Sequence, residues 1–191
     1  MESLQDFLLS TGASQELIDQ LEKNIVRKRV KKGMTLQVYG EQGLRSFFVK
    51  KGLLRSYILD HKGKEHVYMF APEGWIIGDV ESYSFETPTE LYIDALEDSE
   101  IDVIDSKAIG AIDELPKEAL VQQINKLTRR IAVLQHRVLM LMSAKAADRY
   151  KEFLKTYPNI VQRVPQKMIA SYLGITPEAL SKIRGEMARE S

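Results

Sequence analysis

The sequence predicts an α+β chain: an N-terminal antiparallel β-roll of jelly-roll type, one long helix, and a small C-terminal helical domain built on a helix-turn-helix. Three observations carry that prediction. Between Gly33 and Ile104, short β-branched and aromatic runs alternate with glycine-bearing turns, as expected of antiparallel strands rather than βαβ units. Leu120, Ile124, Leu127, Ile131, Leu134, Val138 and Leu141 recur at steps of four and three, the a/d pattern of a coiled-coil seam. Residues 164–184 place apolar, small and turn-forming residues where two short crossing helices need them. The corresponding segments are 1–115, 116–142 and 143–191.

Residues 3–24 read as helical, with Ser3 and Ser14 as N-caps and Phe7, Leu8, Leu17, Ile18 and Leu21 as apolar positions around Gly12. The basic run 26–32 fits a solvated strand or turn better than a binding patch. Strands are expected at 35–39, 46–50, 53–60, 65–70, 90–95 and 101–104, punctuated by Gly40, Gly43, Gly52, Gly63, Gly74 and Gly78. Asp60-His-Lys-Gly63 between two of them is a hairpin signal.

Leu115-Pro116 marks the entry to the long helix, because proline suits a first turn and its predecessor avoids the helical region. The seam stretch would be roughly 33 Å long as a helix, with Lys126, Arg129, Arg130 and Arg137 off the seam. So narrow a stripe suits a second copy of the same helix, a homodimer spine, better than the broad face a globular core demands. A helix buried in its own domain is the other reading. Residues 144–157 form a further helix with Ala147, Tyr150, Phe153 and Leu154 on one face, stopped by Pro158. Met140 and Met142 at the junction fit an irregular core more readily than a movable contact.

The motif at 164–184 is the strongest signal. Residues 166–173 form a short helix with Pro165 near its start and Met168, Ile169, Tyr172 and Leu173 inward. Small Ala170 permits a close crossing, and Gly174 supplies the positive φ of a tight turn. Thr176 is the N-cap of the next helix, Pro177 sits at its N1 position and Glu178 faces the positive end of its dipole. Leu180 and Ile183 turn inward.

Composition narrows the function classes. Residues 1–116 hold 13 Lys/Arg against 21 Asp/Glu, and residues 117–191 hold 14 against 6. An acidic front and a basic back suggest two roles, the back half facing a polyanion, although lysine-rich helices also serve solubility alone. The absence of cysteine excludes disulfides, thiolate-ligated iron–sulfur clusters and cysteine nucleophiles. The N-terminus does not have a signal-peptide pattern and no apolar run reaches membrane-spanning length, so the chain reads as cytoplasmic. No phosphate-cradling glycine loop, metal-ligand cluster or nucleophile–base pair appears. Catalytic residues, metal and cofactor are therefore not expected. His61, His66 and His136 are scattered, and Glu97-Asp98 fits a turn.

Gly33, Gly40, Gly52, Gly63, Gly74 and Gly78, with Gly52-Leu-Leu-Arg55-Ser-Tyr and Phe70-Ala-Pro-Glu-Gly74-Trp-Ile-Ile-Gly78, resemble the cyclic-nucleotide-binding β-roll of the Crp/Fnr transcription regulators. Ala170 to Arg184 resembles the helix-turn-helix of the same family, so the likeness covers most of the chain. It implies a homodimeric regulator of transcription that reads an inverted-repeat operator in double-stranded DNA, with RNA polymerase as a further partner and no membrane. Only seven residues follow Arg184, too few for the family's usual two-stranded wing.

In such a module the second helix enters the major groove. Pro177, Glu178, Ser181 and Lys182 are the candidates for base edges, because carboxylate can accept from cytosine and ammonium can donate to guanine. Gln166, Lys167, Thr176 and Arg184 are candidates for phosphates. The resemblance also marks an effector pocket at Trp75, Gly78, Asp79, Thr89, Glu90, Leu134 and Gln135. Cyclic-AMP-binding members hold the ribose with Gly-Glu and the phosphate with Arg-Ser. Here Gly78-Asp79 aligns with the first pair and Thr89-Glu90 with the second. The guanidinium is lost and Glu90 would repel the anion, while Leu134 and Gln135 stand where a Thr-Ser pair would meet adenine. Cyclic AMP is therefore not expected to act. The alternative function is a nucleotide- or small-ligand-binding regulatory or scaffold protein whose C-terminal helices bind a protein partner.

Overall fold

The computed structural model describes residues 25–42, 45–105 and 117–190, together with Gln5, Leu9, Gln15, Ile18 and Asp19. Those five positions are helical, as expected for 3–24. The rest of that segment, Gly43 and the Leu115-Pro116 entry lie outside the described residues.

Eight strands follow one another: β1 (Val26–Val30), β2 (Thr35–Gln37), β3 (Arg45–Lys51), β4 (Leu54–Leu59), β5 (Glu65–Ala71), β6 (Ile76–Gly78), β7 (Tyr92–Ala95) and β8 (Ser99–Asp105). A short helix, α1 (Val80–Phe85), joins β6 to β7. The strands form two four-stranded sheets, in the orders β1-β8-β3-β6 and β2-β7-β4-β5. Pairings β1–β8, β3–β8, β3–β6, β2–β7 and β4–β7 are all antiparallel. Both sheets contribute to one buried cluster: Val30, Phe47, Val49, Ile77, Ile101 and Val103 from the first, and Leu54, Ala71, Ile93 and Ala95 from the second. Alternation along each strand sends these side chains inward, because successive residues point to opposite faces. The jelly-roll expectation is met. β6 and α1 fall in the stretch between 70 and 90, to which sequence reading assigns no strand or helix, since three residues of strand and six of helix are too short to show periodicity.

The basic run becomes β1 and the start of the turn after it. Arg27 lies opposite Asp102, Arg29 opposite Glu100, and Lys31 reaches Asp98, with charged atoms 3.8, 3.0 and 2.7 Å apart. The Arg29 and Lys31 pairs are surface pairs, each contributing at most about 1 kcal/mol, whereas Asp102 is buried beneath the exposed Arg27; the exposed cations agree with the solvated-strand reading.

The remaining elements are helices α2 (Lys117–Ser143), α3 (Ala146–Thr156), α4 (Gln166–Leu173) and α5 (Pro177–Glu190). Two compact units divide the chain, one of Met1–Ile58 with Met69–Thr128 and the other of Leu59–Tyr68 with Arg129–Ser191. The turn between β4 and β5, with its adjoining residues Leu59–Tyr68, groups with the helical module.

The β4–β5 hairpin is tightly hydrogen-bonded. Asp60 N–H donates to the Lys64 carbonyl, Gly63 N–H donates to the Asp60 carbonyl, and Gly63 takes φ +75°. Asp60 Oδ1 accepts from the backbone N–H of Lys62 and Lys64, and Oδ2 lies 2.9 Å from His66 Nε2. The His66 hydrogen bond, then the Lys64 and Lys62 amides, lower the Asp60 pKa from 3.8 to about 2. A carboxyl depressed on folding contributes stability above its ordinary pKa, lost as pH falls through the folded value. A carboxyl 13C titration is thus expected to give Asp60 a midpoint of about 2, moving up in His66→Ala. An unmoved midpoint in that variant removes the assigned cause.

Candidate nucleic-acid interface

Helices α4 and α5 form the expected helix-turn-helix. Ile169, Ala170 and Leu173 of α4 and Leu180 and Ile183 of α5 are buried. Gly174 ends α4 in the left-handed region at φ +66°, and its N–H closes the last turn on Ser171. A side chain there would be strained, so the turn requires glycine. Thr176 Oγ1 accepts from the Ala179 N–H at 3.2 Å, the N-cap bond expected of it. Ile160, Val164 and the aromatic cluster of Tyr150, Phe153, Tyr157 and Tyr172 complete the core, with ring centroids 5.3 Å apart for Phe153–Tyr172 and 5.6 Å for Tyr157–Tyr172.

This packing leaves one side of α5 open. Glu178, Ser181, Lys182, Gly185, Glu186 and Arg189 line a shallow recess of about 540 Å³. Pro177, Glu178, Ser181 and Lys182 are all exposed at the front of the helix, as their candidacy for base edges requires. The Glu178 N–H and the Thr176 hydroxyl hold the Glu178 carboxyl below its ordinary pKa, so it is an ionised acceptor at neutral pH. Lys182 Nζ lies 3.9 Å from Glu186 Oε1, one turn on. Of the phosphate candidates, Gln166, Lys167 and Thr176 are exposed, whereas Arg184 is half-buried. Sequence reading carries this helix to Met187 but names no candidate beyond Arg184, so Gly185, Glu186 and Arg189 of the recess are not among its candidates. Continuing the helical period from Glu178 and Lys182 would have found them.

A second contact that sequence reading missed fixes α4 to the hairpin within the same unit. Ser171 Oγ donates to the Glu65 carbonyl and accepts from the Val67 N–H, both at 2.9 Å. The Arg137 guanidinium of α2 lies 4.1 Å from the Tyr172 ring centroid and 5.4 Å from that of Tyr68, and donates to the Tyr68 carbonyl.

The seam residues Ile124, Leu127, Ile131, Leu134, Val138 and Leu141 are exposed along α2, with Ile124 60 % and Ile131 64 % exposed. This argues against a helix buried in its own domain. Leu120 is half-buried. Val121, Val133, Leu139 and Met142 are exposed as well, so the apolar surface is wider than a strict two-in-seven stripe. Met142, 78 % exposed, does not fill an irregular core in the single chain.

The effector-pocket candidates separate into distinct environments. Asp79 and Thr89 are buried and joined, Thr89 Oγ1 donating to Asp79 Oδ2 at 2.5 Å. Asp79 Oδ1 caps α1 by accepting from the N–H of Glu81 and Ser82, both at 3.1 Å. Gln37 Nε2 donates to Thr89 Oγ1 and to the Leu91 carbonyl. Gly78 lies opposite Ser46, where a Cβ would come within 2.6 Å of the Ser46 hydroxyl, so strand packing explains it. Trp75, Glu90, Leu134 and Gln135 are exposed.

Ser171→Ala removes both hairpin bonds and leaves a part-buried amide without its acceptor. A loss of about 1–3 kcal/mol is expected in urea unfolding, and an unchanged midpoint would show that the bonds contribute nothing.

No family profile matches the chain. It is 26 % identical over 205 residues to the fumarate and nitrate reduction regulatory protein of Vibrio cholerae, covering 98 % of this chain and 79 % of the relative. It is 28 % identical over 191 residues to the transcriptional regulatory protein Btr of Bordetella pertussis, covering 92 % and 75 %. The solved structure of FixK2 from Bradyrhizobium japonicum superposes with a TM-score of 0.73 at 17 % identity, over 87 % of this chain and 85 % of that one. The chain is thus similar over nearly its whole length to named transcription regulators, and it shares its fold with a putative transcriptional regulator of the Crp/Fnr family from Eubacterium rectale, with a TM-score of 0.68 at 19 % identity over 95 % of this chain and 87 % of that one.

Proposed function

We propose that this regulator acts in the cytoplasm as a homodimer, paired through the exposed apolar face of α2, and reads an inverted-repeat operator with the front of α5. The observation that carries the reading is the pre-set head of α5. Thr176 caps it, α4 and α3 pack behind it, and Pro177, Glu178, Ser181 and Lys182 stand free of the core. Gln166, Lys167 and Thr176 flank it as phosphate contacts, with Arg184 at the margin. Two such heads on a two-fold axis would meet half-sites about 34 Å apart.

The purified chain is expected to sediment as a dimer and to hold a duplex selected from a random pool with steeply salt-dependent affinity. Lys182→Ala should weaken the selected duplex by about 1–3 kcal/mol and relax preference at one position. Equal binding of selected and random duplex by parent and variant alike would overturn the assignment.

Cyclic AMP does not act on this reading. A phosphate at the start of α1 would need the amides that Asp79 already occupies, and Thr89 supplies a hydroxyl where a guanidinium would be required. Calorimetry with cyclic AMP is expected to give no saturable heat at micromolar concentration. A saturable isotherm would overturn this part of the proposal.

A further inference from the structure

We infer that Gly185 is the point at which the sugar-phosphate backbone of the duplex comes nearest to α5, a positioning contact that no sequence motif marks. The inference rests on the reading of α5 as the duplex-facing helix. Gly185 lies in the interior of Pro177–Glu190, where glycine makes a poorer helix than alanine. The fold does not require it. A Cβ built at Gly185 meets nothing within 4 Å, and its φ is not positive. The glycine weakens its helix and leaves open space above it among the described residues, so the backbone of a partner can approach α5 more closely there than at its neighbours.

Gly185 forms the floor of the recess on α5. Lys182 stands one turn before it and Arg189 one turn after, on the same exposed face. A phosphodiester seated over the missing side chain would lie within reach of Arg189, with Lys182 left to the base edges. The charge of the adjacent Glu186 is offset by Lys182, 3.9 Å away, and Glu178 would repel a phosphate placed at the front of the recess. A contact of this kind fixes the register of helix on duplex and carries no sequence information. A methyl group would hold the backbone off and lengthen the charge-assisted bond that Arg189 could make.

The test compares the full-length chain with Gly185→Ala and Gly185→Leu, using a duplex selected by the parent and a random duplex of equal length. Gly185→Ala is expected to raise Tm and yet to weaken both duplexes by roughly tenfold, leaving their affinity ratio unchanged. Gly185→Leu should weaken them further. A fall in Tm with alanine would mean that the fold needs the glycine, and undiminished binding would mean that nothing approaches it. Loss confined to the selected duplex would mean that it faces a base. Each of these overturns the inference alone. A parent that retains no duplex overturns the underlying reading of α5.

Discussion

The Arg137 guanidinium lies over the Tyr172 ring of α4 and near the Tyr68 ring of the hairpin, and it donates to the Tyr68 carbonyl, so three segments distant in sequence share one cation. Each ring contact of this kind contributes about 0.5–2 kcal/mol, depending on how far water is excluded. The position of Tyr172 matters more than that sum. Its ring also packs on Phe153 and Tyr157, and its neighbour Ser171 is bonded to the hairpin backbone. Helix α4 is held on one side by the hairpin and on the other by the buried Ile169 and Leu173. It cannot rotate about its axis without breaking one set, and α5 follows it through Leu180 and Ile183. The orientation of α5 is thereby set by residues that lie off its exposed face.

A similar self-sufficiency governs the cluster around Asp79. A buried carboxylate is costly unless its oxygens are satisfied, and here two backbone amides and the Thr89 hydroxyl satisfy them. Donors that in a phosphate site would wait for an external anion are already engaged by the chain's own carboxylate. Gln37 then holds Thr89 in place from β2. The result is a closed polar knot within the first unit.

Most of the architecture was legible in the sequence, because its signals are local. Glycine turns, the heptad spacing and the Gly174–Thr176–Pro177 punctuation each act through neighbours in the chain. β6 and α1 were not legible, being shorter than one period of their own pattern. The exposure of Pro177, Glu178, Ser181 and Lys182 followed from helical spacing, whereas no residue beyond Arg184 was singled out although the helix was expected to run on to Met187. The Ser171 and Arg137 contacts could not have been foreseen. Ser171 meets residues more than a hundred positions away, and serine or arginine on a helix surface gives no sign of which distant backbone it will meet.

The charge distribution gains a different meaning once the face is located. Residues 117–191 carry an excess of 8 positive charges, which from sequence alone suggested a polyanion partner. The recess of α5 does not hold that excess, since Glu178 and Glu186 balance Lys182 and Arg189. Exposed cations lie instead on neighbouring elements, at Lys145, Lys151, Lys155 and Lys167. Cations set back from the groove would draw the duplex in over a Debye length, about 8–10 Å at ordinary ionic strength. The balanced recess adds little to that pull. Beyond a backbone contact at Gly185, it can contribute to affinity only where hydrogen-bonding groups on the bases match its own, because a misplaced phosphate meets a carboxylate as readily as an ammonium. Separating attraction from discrimination in this way lowers non-specific retention without lowering the encounter rate, the combination that a protein searching a genome for a few sites requires.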